Sequence, residues 1–303
     1  MSWVLLALLS AATFGLVSII DKLLISYYMP GFRSFGAWVG LVTFTVSIAL
    51  ILTVPATHEI AAAQAMIALG SGVLWGLGLA LLFFGMRSQD VSRAISVYSI
   101  NPIFVALLAS TLLGESLSGL QWGAVAMTVA GVIIVSGQSK LAIRRLDLNR
   151  STVEVLVAAI LTAVAQLVSK HGLNDTSLWS FYPYWYLGLS MPFLALLNLS
   201  ALREIRMSLM RPSSAVLMVG GEAFLGSVAA WIMLLAIQAG PVSLVTSISG
   251  TRPIFVFLIG TFLSARRLKI LDEPTRSGVL IQKAFAILLI VTGVAIMSVG
   301  SES

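Results

Sequence analysis

Two charged residues lie deep inside long apolar stretches of the sequence, where a charge is costly. Arg252 is in the segment SISGTRPIFV, residues 247–256, and Glu222 is in LMVGGEAFLG, residues 217–226. Ionisable residues at such positions in a membrane segment usually face a cavity or a partner, and they mark candidate binding sites. An arginine can hold a carboxylate or phosphate through two parallel hydrogen bonds, while a nearby glutamate restrains it or exchanges protons. The same two side chains could instead form a structural ion pair, and the sequence leaves both roles open.

The composition places these residues in a membrane protein. Of the 303 residues, 58% are hydrophobic and 10% are charged, and the mean hydropathy is +1.01. A soluble domain carries roughly 25% charged residues, so this chain has too few to cover a water-facing surface. Cysteine is absent, and the two histidines, His58 and His171, have no metal-ligand spacing. We therefore expect a multi-pass protein of a lipid bilayer, with no cofactor and no metal site.

Ten segments are long enough to cross a bilayer core, which takes about 20 apolar residues in a helix. The first is longer than the apolar region of a cleaved signal peptide and lacks its positive flank. The connectors are too short for a soluble catalytic domain, so we expect no enzyme. The sequence also contains no phosphate-binding loop, which argues against an ATP-driven pump. The predicted spans are 3–26, 33–55, 63–86, 92–113, 119–137, 152–172, 181–201, 213–238, 242–264 and 279–300.

The two halves of the chain share a pattern. SVYSINPIFVALLAS, residues 96–110, aligns with TSISGTRPIFVFLIG, residues 246–260, and SIIDK, residues 18–22, aligns with QLVSK, residues 166–170. Five spans in each half mean that the second copy crosses the membrane in the opposite sense. Such inverted repeats place a binding site near the midplane, between the halves. We expect a first repeat at 1–137, a basic connector at 138–151 and a second repeat at 152–303, arranged around a central cavity.

Depth and repeat alignment together define a candidate site. At about 1.5 Å per residue, Arg252 and Glu222 each lie about halfway through a core of about 30 Å, so they can meet. Asn101 aligns with Arg252, and Ser71 aligns with Glu222. Pro253 removes a helix hydrogen bond and favours a break beside the cavity. The predicted substrate-binding residues are Arg252, Glu222, Asn101, Tyr98, Ser71, Trp75 and Gln166, with Tyr98 and Trp75 forming an aromatic wall.

Lys22 and Lys170 align across the repeat, each near the end of its span. Each could mark the mouth of the cavity on its own side, or extend its ammonium group to the lipid headgroups. Asp21 is expected only to weaken the field of Lys22. Glu115 and Glu154, at span ends, are expected to face the interface.

Basic residues accumulate in the connectors that follow spans 1, 3, 5, 7 and 9. The positive-inside rule predicts that these connectors lie in the cytoplasm and that both termini lie outside it. The expected location of the protein is the cell (inner) membrane. Because the net charge of +6 is confined to such connectors, nucleic acid is not expected as a partner. The residues are Arg33, Arg87, Arg93, Lys140, Arg144, Arg145, Arg150, Arg203, Arg206, Arg211, Arg266, Arg267, Lys269 and Arg276.

The end of the first half carries a family resemblance. Leu112-Leu113-Gly114-Glu115 closes the fourth span, and the glycine-rich segment GLQWGAVAMTVAGVIIVSG, residues 119–137, follows it. This order resembles the drug/metabolite transporter superfamily, in its ten-helix EamA-type branch. The resemblance implies two inverted five-helix bundles, with spans 1, 3, 4, 6, 8 and 9 lining a cavity. The chain departs from that family at Phe14-Gly15, where tryptophan is usual before the glycine, and at Ala265-Arg266-Arg267, which replaces a second Gly-Glu. Relatives also usually keep their termini in the cytoplasm.

These features favour a secondary transporter of a small polar metabolite that bears a carboxylate or a phosphate, such as an amino acid. The two halves would rock to give alternating access. The alternatives are a flippase for a lipid-linked substrate, a membrane enzyme and a non-transporting membrane subunit. The expected partners are the small-molecule substrate and the bilayer, and the sequence leaves a homodimer open.

Overall fold

The computed structural model describes residues 2–29, 31–57, 59–88, 91–135, 150–265 and 277–299. Across these ranges the chain is helical and contains no strand, which confirms the predicted all-α class. In chain order the α-helices are α1 (Trp3–Leu23), α2 (Phe32–Thr53), α3 (Ala62–Ser88), α4 (Val91–Tyr98), α5 (Asn101–Leu112), α6 (Gly119–Val135), α7 (Arg150–Asn174), α8 (Leu178–Leu194), α9 (Leu199–Leu209), α10 (Pro212–Val216), α11 (Ser227–Ala239), α12 (Val242–Ser249), α13 (Arg252–Ala265) and α14 (Ser277–Val299).

Six stretches of the described chain are long and apolar enough to cross a membrane, and the bent pair α8 and α9 makes a seventh if it counts as one span. The protein is therefore a multi-pass membrane protein. Most of the predicted basic connector 138–151, and the basic residues from 266 to 276, lie outside the described residues. The six stretches are Trp3–Tyr28, Phe32–Thr53, Ala62–Met86, Arg150–Asn174, Pro212–Ala239 and Val242–Gly260, and three shorter apolar helices are Asn101–Leu112, Gly119–Ile134 and Phe285–Met297.

The predicted seventh span, 181–201, is wrong at its C-terminal end. Helix α8 ends at Leu194, and the chain bends by 114° before α9. Asn198 starts α9, since its side-chain oxygen accepts a hydrogen bond of 2.8 Å from the Ala201 backbone N–H, which is the usual role of an N-cap residue. Leucine and alanine continue through the bend, so hydropathy alone gives no sign of it.

The predicted fourth and ninth spans are each interrupted at the same place. Two residues separate α4 from α5, and two separate α12 from α13. Asn101-Pro102 begins α5, and Arg252-Pro253 begins α13. Proline is tolerated in the first turn of a helix, where its missing N–H leaves no bond unmade. The predicted break beside Pro253 is confirmed, and its counterpart at Pro102 is present as well.

The predicted eighth span contains a π-helical segment, Leu217–Gly226, between α10 and α11. A π-helix has wider turns than an α-helix and is often found at functional sites. Glu222 lies within this segment. At the preceding residue, Gly221, a Cβ atom would lie 2.5 Å from the side chain of Ile20 in α1. The missing side chain thus lets the π-helical segment approach α1 closely beside Glu222.

Packing between the helices positions the two breaks. Helix α1 packs against the π-helical segment, α11, α12 and α13, while α7 packs against α3, α4 and α5. Helix α6 packs against α14, and α2 against α8. Helices α3 and α8 touch along their backbones, because a Cβ atom at Gly72 would lie 1.9 Å from the carbonyl oxygen of Trp185. Each broken pair therefore lies against one long helix, α7 for α4–α5 and α1 for α12–α13.

Candidate functional site

Arg252, the first residue of α13, is held by helix α1. Its Nε donates a hydrogen bond of 2.6 Å to the Ser18 hydroxyl, which itself donates to the Phe14 carbonyl oxygen at 2.8 Å. The guanidinium carbon lies 5.2 Å from the centre of the Phe14 ring, within the range of a cation–π interaction. Gly15 permits this approach, because a Cβ atom there would lie 2.8 Å from the Cβ of Phe255. The arginine is thus positioned by a hydroxyl group and an aromatic face.

Two carboxyl groups lie near Arg252 and interact with its charge. Asp21 on α1 and Glu222 on the π-helical segment are close enough for a hydrogen bond between their carboxyl groups, and both interact electrostatically with Arg252. Asp21 Oδ1 and Glu222 Oε2 are buried and have no hydrogen-bond partner within the described ranges. The site therefore combines one cation with two acidic groups that retain free acceptor atoms.

Asp21 belongs to this site, whereas the sequence had suggested only an effect on Lys22. Asp21 follows Ser18 by three residues, so both side chains lie on one face of α1. The helical stretch continues to Tyr28, which places Asp21 well inside the span. The three-residue spacing was the sequence pattern that could have identified it.

The expected pairing of Glu222 with Arg252 is not a direct ion pair. Among the described residues, the pair at contact distance joins Arg150 to Glu154 at 3.1 Å, on the exposed start of α7. Arg252 instead donates its Nε–H to the Ser18 hydroxyl, and both Asp21 and Glu222 interact electrostatically with its charge. The guanidinium charge is thus compensated by two nearby carboxyl groups and not by a direct ion pair with one of them.

The neutral counterpart of Arg252, Asn101, is held in a complete hydrogen-bond network against α7. Its Nδ2 donates to the Ala159 carbonyl oxygen at 2.7 Å and to the Thr162 hydroxyl at 3.0 Å. Its Oδ1 accepts from Gln166 Nε2 at 3.3 Å. The Tyr98 hydroxyl donates to Thr162 at 3.1 Å. Three of the predicted residues, Asn101, Tyr98 and Gln166, are therefore brought together.

Two contacts connect this network to the second broken helix. The Thr246 hydroxyl, in α12, donates to Gln166 Oε1. Tyr98 interacts electrostatically with Arg252. The neutral network and the charged cluster are hence neighbours, on either side of the contact between α5 and α12.

Trp75 belongs to an aromatic wall, but its ring contact is with Trp185 of α8 and not with Tyr98, the predicted partner, which lies against Thr162. The Trp75 ring lies edge-on to Trp185, with centroids 5.3 Å apart, and Trp185 stacks on Tyr186 with centroids 6.1 Å apart. The Tyr186 hydroxyl is hydrogen bonded to Ser227 at 3.0 Å, and Tyr186 interacts electrostatically with Glu222. The wall runs from α3 across α8 to the carboxyl pair. The aromatic run FYPYWY, residues 181–186, is the sequence pattern that could have indicated it.

Ser71 is buried within α3. Its hydroxyl donates to the Ala68 carbonyl oxygen of its own helix at 2.9 Å. Ser71 and Glu222 align in sequence but lie in different environments, because the π-helical turns around Glu222 have no equivalent in the regular helix α3.

Lys170 caps the end of helix α11. Its Nζ donates to the carbonyl oxygens of Ile237 at 2.9 Å, Gln238 at 3.1 Å and Gly240 at 2.9 Å. A cation at a helix C-terminus satisfies free carbonyl groups and interacts favourably with the helix dipole. Lys22, its counterpart, is exposed. That the two lysines mark cavity mouths stays a prediction.

Glu115, which the sequence places at a span end and predicts only to face the interface, caps the start of α12. Its carboxylate accepts hydrogen bonds from the backbone N–H of Val242 at 2.7 Å and of Ser243 at 3.3 Å, and from the Ser243 hydroxyl. An acidic group at a helix N-terminus is stabilising. Gly114, with φ of 69°, adopts the left-handed conformation that glycine tolerates and turns the chain before Glu115.

A separate cleft of about 310 Å³ lies between the start of α2 and α9. Ser34 donates a hydrogen bond to Glu204 within it. Its lining residues are Gly31, Phe32, Arg33, Ser34, Ser200 and Glu204. Within the described ranges, no group of three or more histidine, aspartate or glutamate side chains could hold a metal ion.

The first part of the chain is similar to a known family. Residues 1–137 match the model of the EamA-like transporter family, a family of membrane transporters in the drug/metabolite transporter superfamily. This match confirms the resemblance inferred from the segment around Gly114-Glu115.

A solved structure shares the fold over the whole chain. A protein of known crystal structure superposes with a TM-score of 0.67 over 99% of this chain and 96% of its own, at 14% sequence identity. At that identity the similarity extends to the fold alone. A search of curated proteins gives no significant match.

Proposed function

We propose that the protein is a secondary transporter of a small polar metabolite that carries a carboxylate or a phosphate. The observation that supports this most directly is Arg252, placed at a helix break inside a membrane span and held by Ser18. A guanidinium group with free N–H donors recognises a planar anion through two hydrogen bonds. Broken helices beside such a charge are typical of transporter binding sites.

Ten spans in two inverted repeats form the framework of this proposal. The six long stretches, the bent pair and the three short apolar helices fall one in each predicted range. The contacts also repeat, since Arg252 contacts Ser18 and Asn101 contacts Gln166. Ser18 and Gln166 align in the segments SIIDK and QLVSK. Residues related by the sequence repeat thus make related contacts, as an inverted repeat requires.

In the proposed cycle, Arg252 binds the anionic group while Ser18 and Phe14 keep the guanidinium in position. Asp21 and Glu222 compensate its charge when the site is empty. Rocking of the two halves then exposes the site to one side of the membrane at a time.

A ligand screen by thermal shift tests this function. Purified protein is compared with matched pairs of compounds, each an acid and its neutral amide or alcohol, such as amino acids with amino-acid amides and sugar phosphates with sugars. We expect stabilisation by the anionic member of one class, lost in Arg252→Gln and kept in Arg206→Gln, which changes an exposed arginine of α9. Stabilisation by neutral or lipid-linked compounds alone would contradict the proposal and favour a flippase.

We further propose that both termini lie outside the cell membrane. Arg33 and Glu204 line one cleft, which supports a common side for the connectors that follow the first and seventh spans. The chain has no native cysteine, so a single cysteine added at either terminus reports its own exposure. We expect reaction with an impermeant thiol reagent in intact cells, and labelling only after lysis would reverse the orientation.

A further inference from the structure

The cluster around Arg252 has more acidic groups than basic ones. Asp21 and Glu222 face one guanidinium group, so full ionisation of both leaves a net negative charge inside a membrane protein. Such uncompensated charge is costly in a medium of low polarity. One proton on the carboxyl pair makes the three residues neutral together.

The unpaired atoms of the two carboxyl groups are consistent with such a proton. Asp21 Oδ1 and Glu222 Oε2 are buried and have no hydrogen-bond partner in the described part of the chain. A buried acceptor without a donor destabilises a folded protein. A proton carried by one carboxyl group and donated to the other supplies the missing donor.

The other titratable side chains around the pair are already hydrogen bonded. The Tyr98 hydroxyl, from α4, donates to Thr162 at 3.1 Å. From α8, Tyr186 is bonded to the Ser227 hydroxyl at 3.0 Å and Tyr182 donates to the Ser227 carbonyl oxygen at 2.9 Å. Arg252 uses its Nε on Ser18, and Lys22, next to Asp21, is exposed. The carboxyl pair is therefore the group in this cluster with acceptor atoms left for a proton.

We infer that Asp21 and Glu222 form a proton-binding site that holds one proton between two helices, α1 and the π-helical segment. The proton leaves one carboxylate as the counter-ion of Arg252. Under the proposed function, an anion that binds Arg252 displaces this carboxylate, which then takes up a second proton from solution. Anion and proton enter the site together, and its net charge stays zero. This consequence rests on the proposed function, whereas the proton site itself does not.

Infrared difference spectroscopy of the full-length protein in lipid vesicles tests the proton site, with the proton as the only probe. A protonated carboxyl group has a C=O stretch that an ionised one lacks, and a pH titration reveals it. We expect one such band in the wild type, lost in both Asp21→Asn and Glu222→Gln. Asp175→Asn, at an exposed position in the turn before α8, is the matched control and keeps the band.

Isotope labelling answers the same question without a substitution that could impair folding. In the wild-type protein, a ¹³C-carboxyl label on aspartate alone, or on glutamate alone, shifts the band if that residue carries the proton. A band that shifts with neither label, or the absence of a titrating band, overturns the inference.

A pH titration of the same infrared band in Arg252→Gln is the second part of the test. Loss of the cation favours the protonated carboxyl group, so the band should persist to higher pH than in the wild type. An unchanged titration would show that the pair and Arg252 are not coupled. Anion binding in the thermal-shift screen without a carboxyl band would refute the proton site alone, and a band without anion binding would refute the proposed function alone.

Discussion

The two broken helices of this protein have the same architecture and opposite chemistry. At the break between α4 and α5, Asn101 is neutral and its side chain is fully hydrogen bonded to α7. At the break between α12 and α13, Arg252 is charged, and the carboxyl groups near it retain unpaired acceptor atoms. A saturated polar network fixes one geometry, whereas an incompletely paired one can exchange partners. The break at Asn101 is therefore suited to holding the helices in position, and the break at Arg252 is suited to binding a ligand.

The contacts around each break make this contrast sharper. Asn101 donates to Thr162, and the Arg252 guanidinium lies over the ring of Phe14, a residue that aligns with Thr162 in the register of SIIDK and QLVSK. The second half thus has an aromatic face where the first has a hydroxyl group, and an aromatic face suits a cation. The two halves share a backbone arrangement, and their side chains differ in chemistry at the break.

The largest expected effect is the loss of transport in Arg252→Gln. Truncating one partner of a buried charge-assisted contact costs ~3 kcal/mol, or about 100-fold in affinity. Uptake of the compound identified by thermal shift, measured in proteoliposomes, should fall accordingly, with the protein still folded. Arg206→Gln serves as the control. Equal losses of transport in both variants would contradict the assignment of ligand binding to the break at Arg252.

Asn101→Ala should act mainly on stability. The substitution removes the Asn101 Oδ1 that accepts from Gln166 Nε2, and a buried donor left without an acceptor costs ~1–3 kcal/mol. The Ala159 carbonyl oxygen still accepts from the Thr162 hydroxyl. We expect a lower melting temperature and a smaller change in ligand affinity than in Arg252→Gln. Full stability combined with lost binding would mean that Asn101 contacts the ligand directly.

The smallest effect is expected for Glu115→Gln. Its carboxylate caps α12 by accepting from the N–H groups of Val242 and Ser243, and replacing a charged cap by a neutral one costs ~1 kcal/mol. The melting temperature should fall slightly, while Glu59→Gln, at an exposed position before α3, should leave it unchanged. A large loss of transport at normal stability would assign Glu115 a role in the binding cycle.

Several features of this molecule could be derived from the sequence because each depends on local chemistry. Proline after Asn101 and after Arg252 determines where two spans break, since proline cannot complete the helix hydrogen bonds there. The depth of Arg252 and Glu222 follows from counting residues along a helix. The bend after Leu194 was missed, because an asparagine cap among apolar residues changes hydropathy too little to be recognised.

Other features required the packed structure. Lys170 and Glu115 bind the backbone at the turn from α11 to α12, and neither contact has a sequence pattern, because the partners are far apart in the chain. The aromatic wall depends on α3 and α8 touching at Gly72 and Trp185. Long-range contacts of this kind arise from helix packing, which hydrophobic periodicity does not specify.

The sequence by itself determined the membrane class, the helical composition and the presence of a charge at one break and an amide at the other. Those properties follow from side-chain chemistry and from the cost of placing polar groups in lipid. Only the tertiary structure decided which groups surround Arg252. The π-helical turns bring Glu222 to α1, and there Asp21 and Glu222 become one acidic pair.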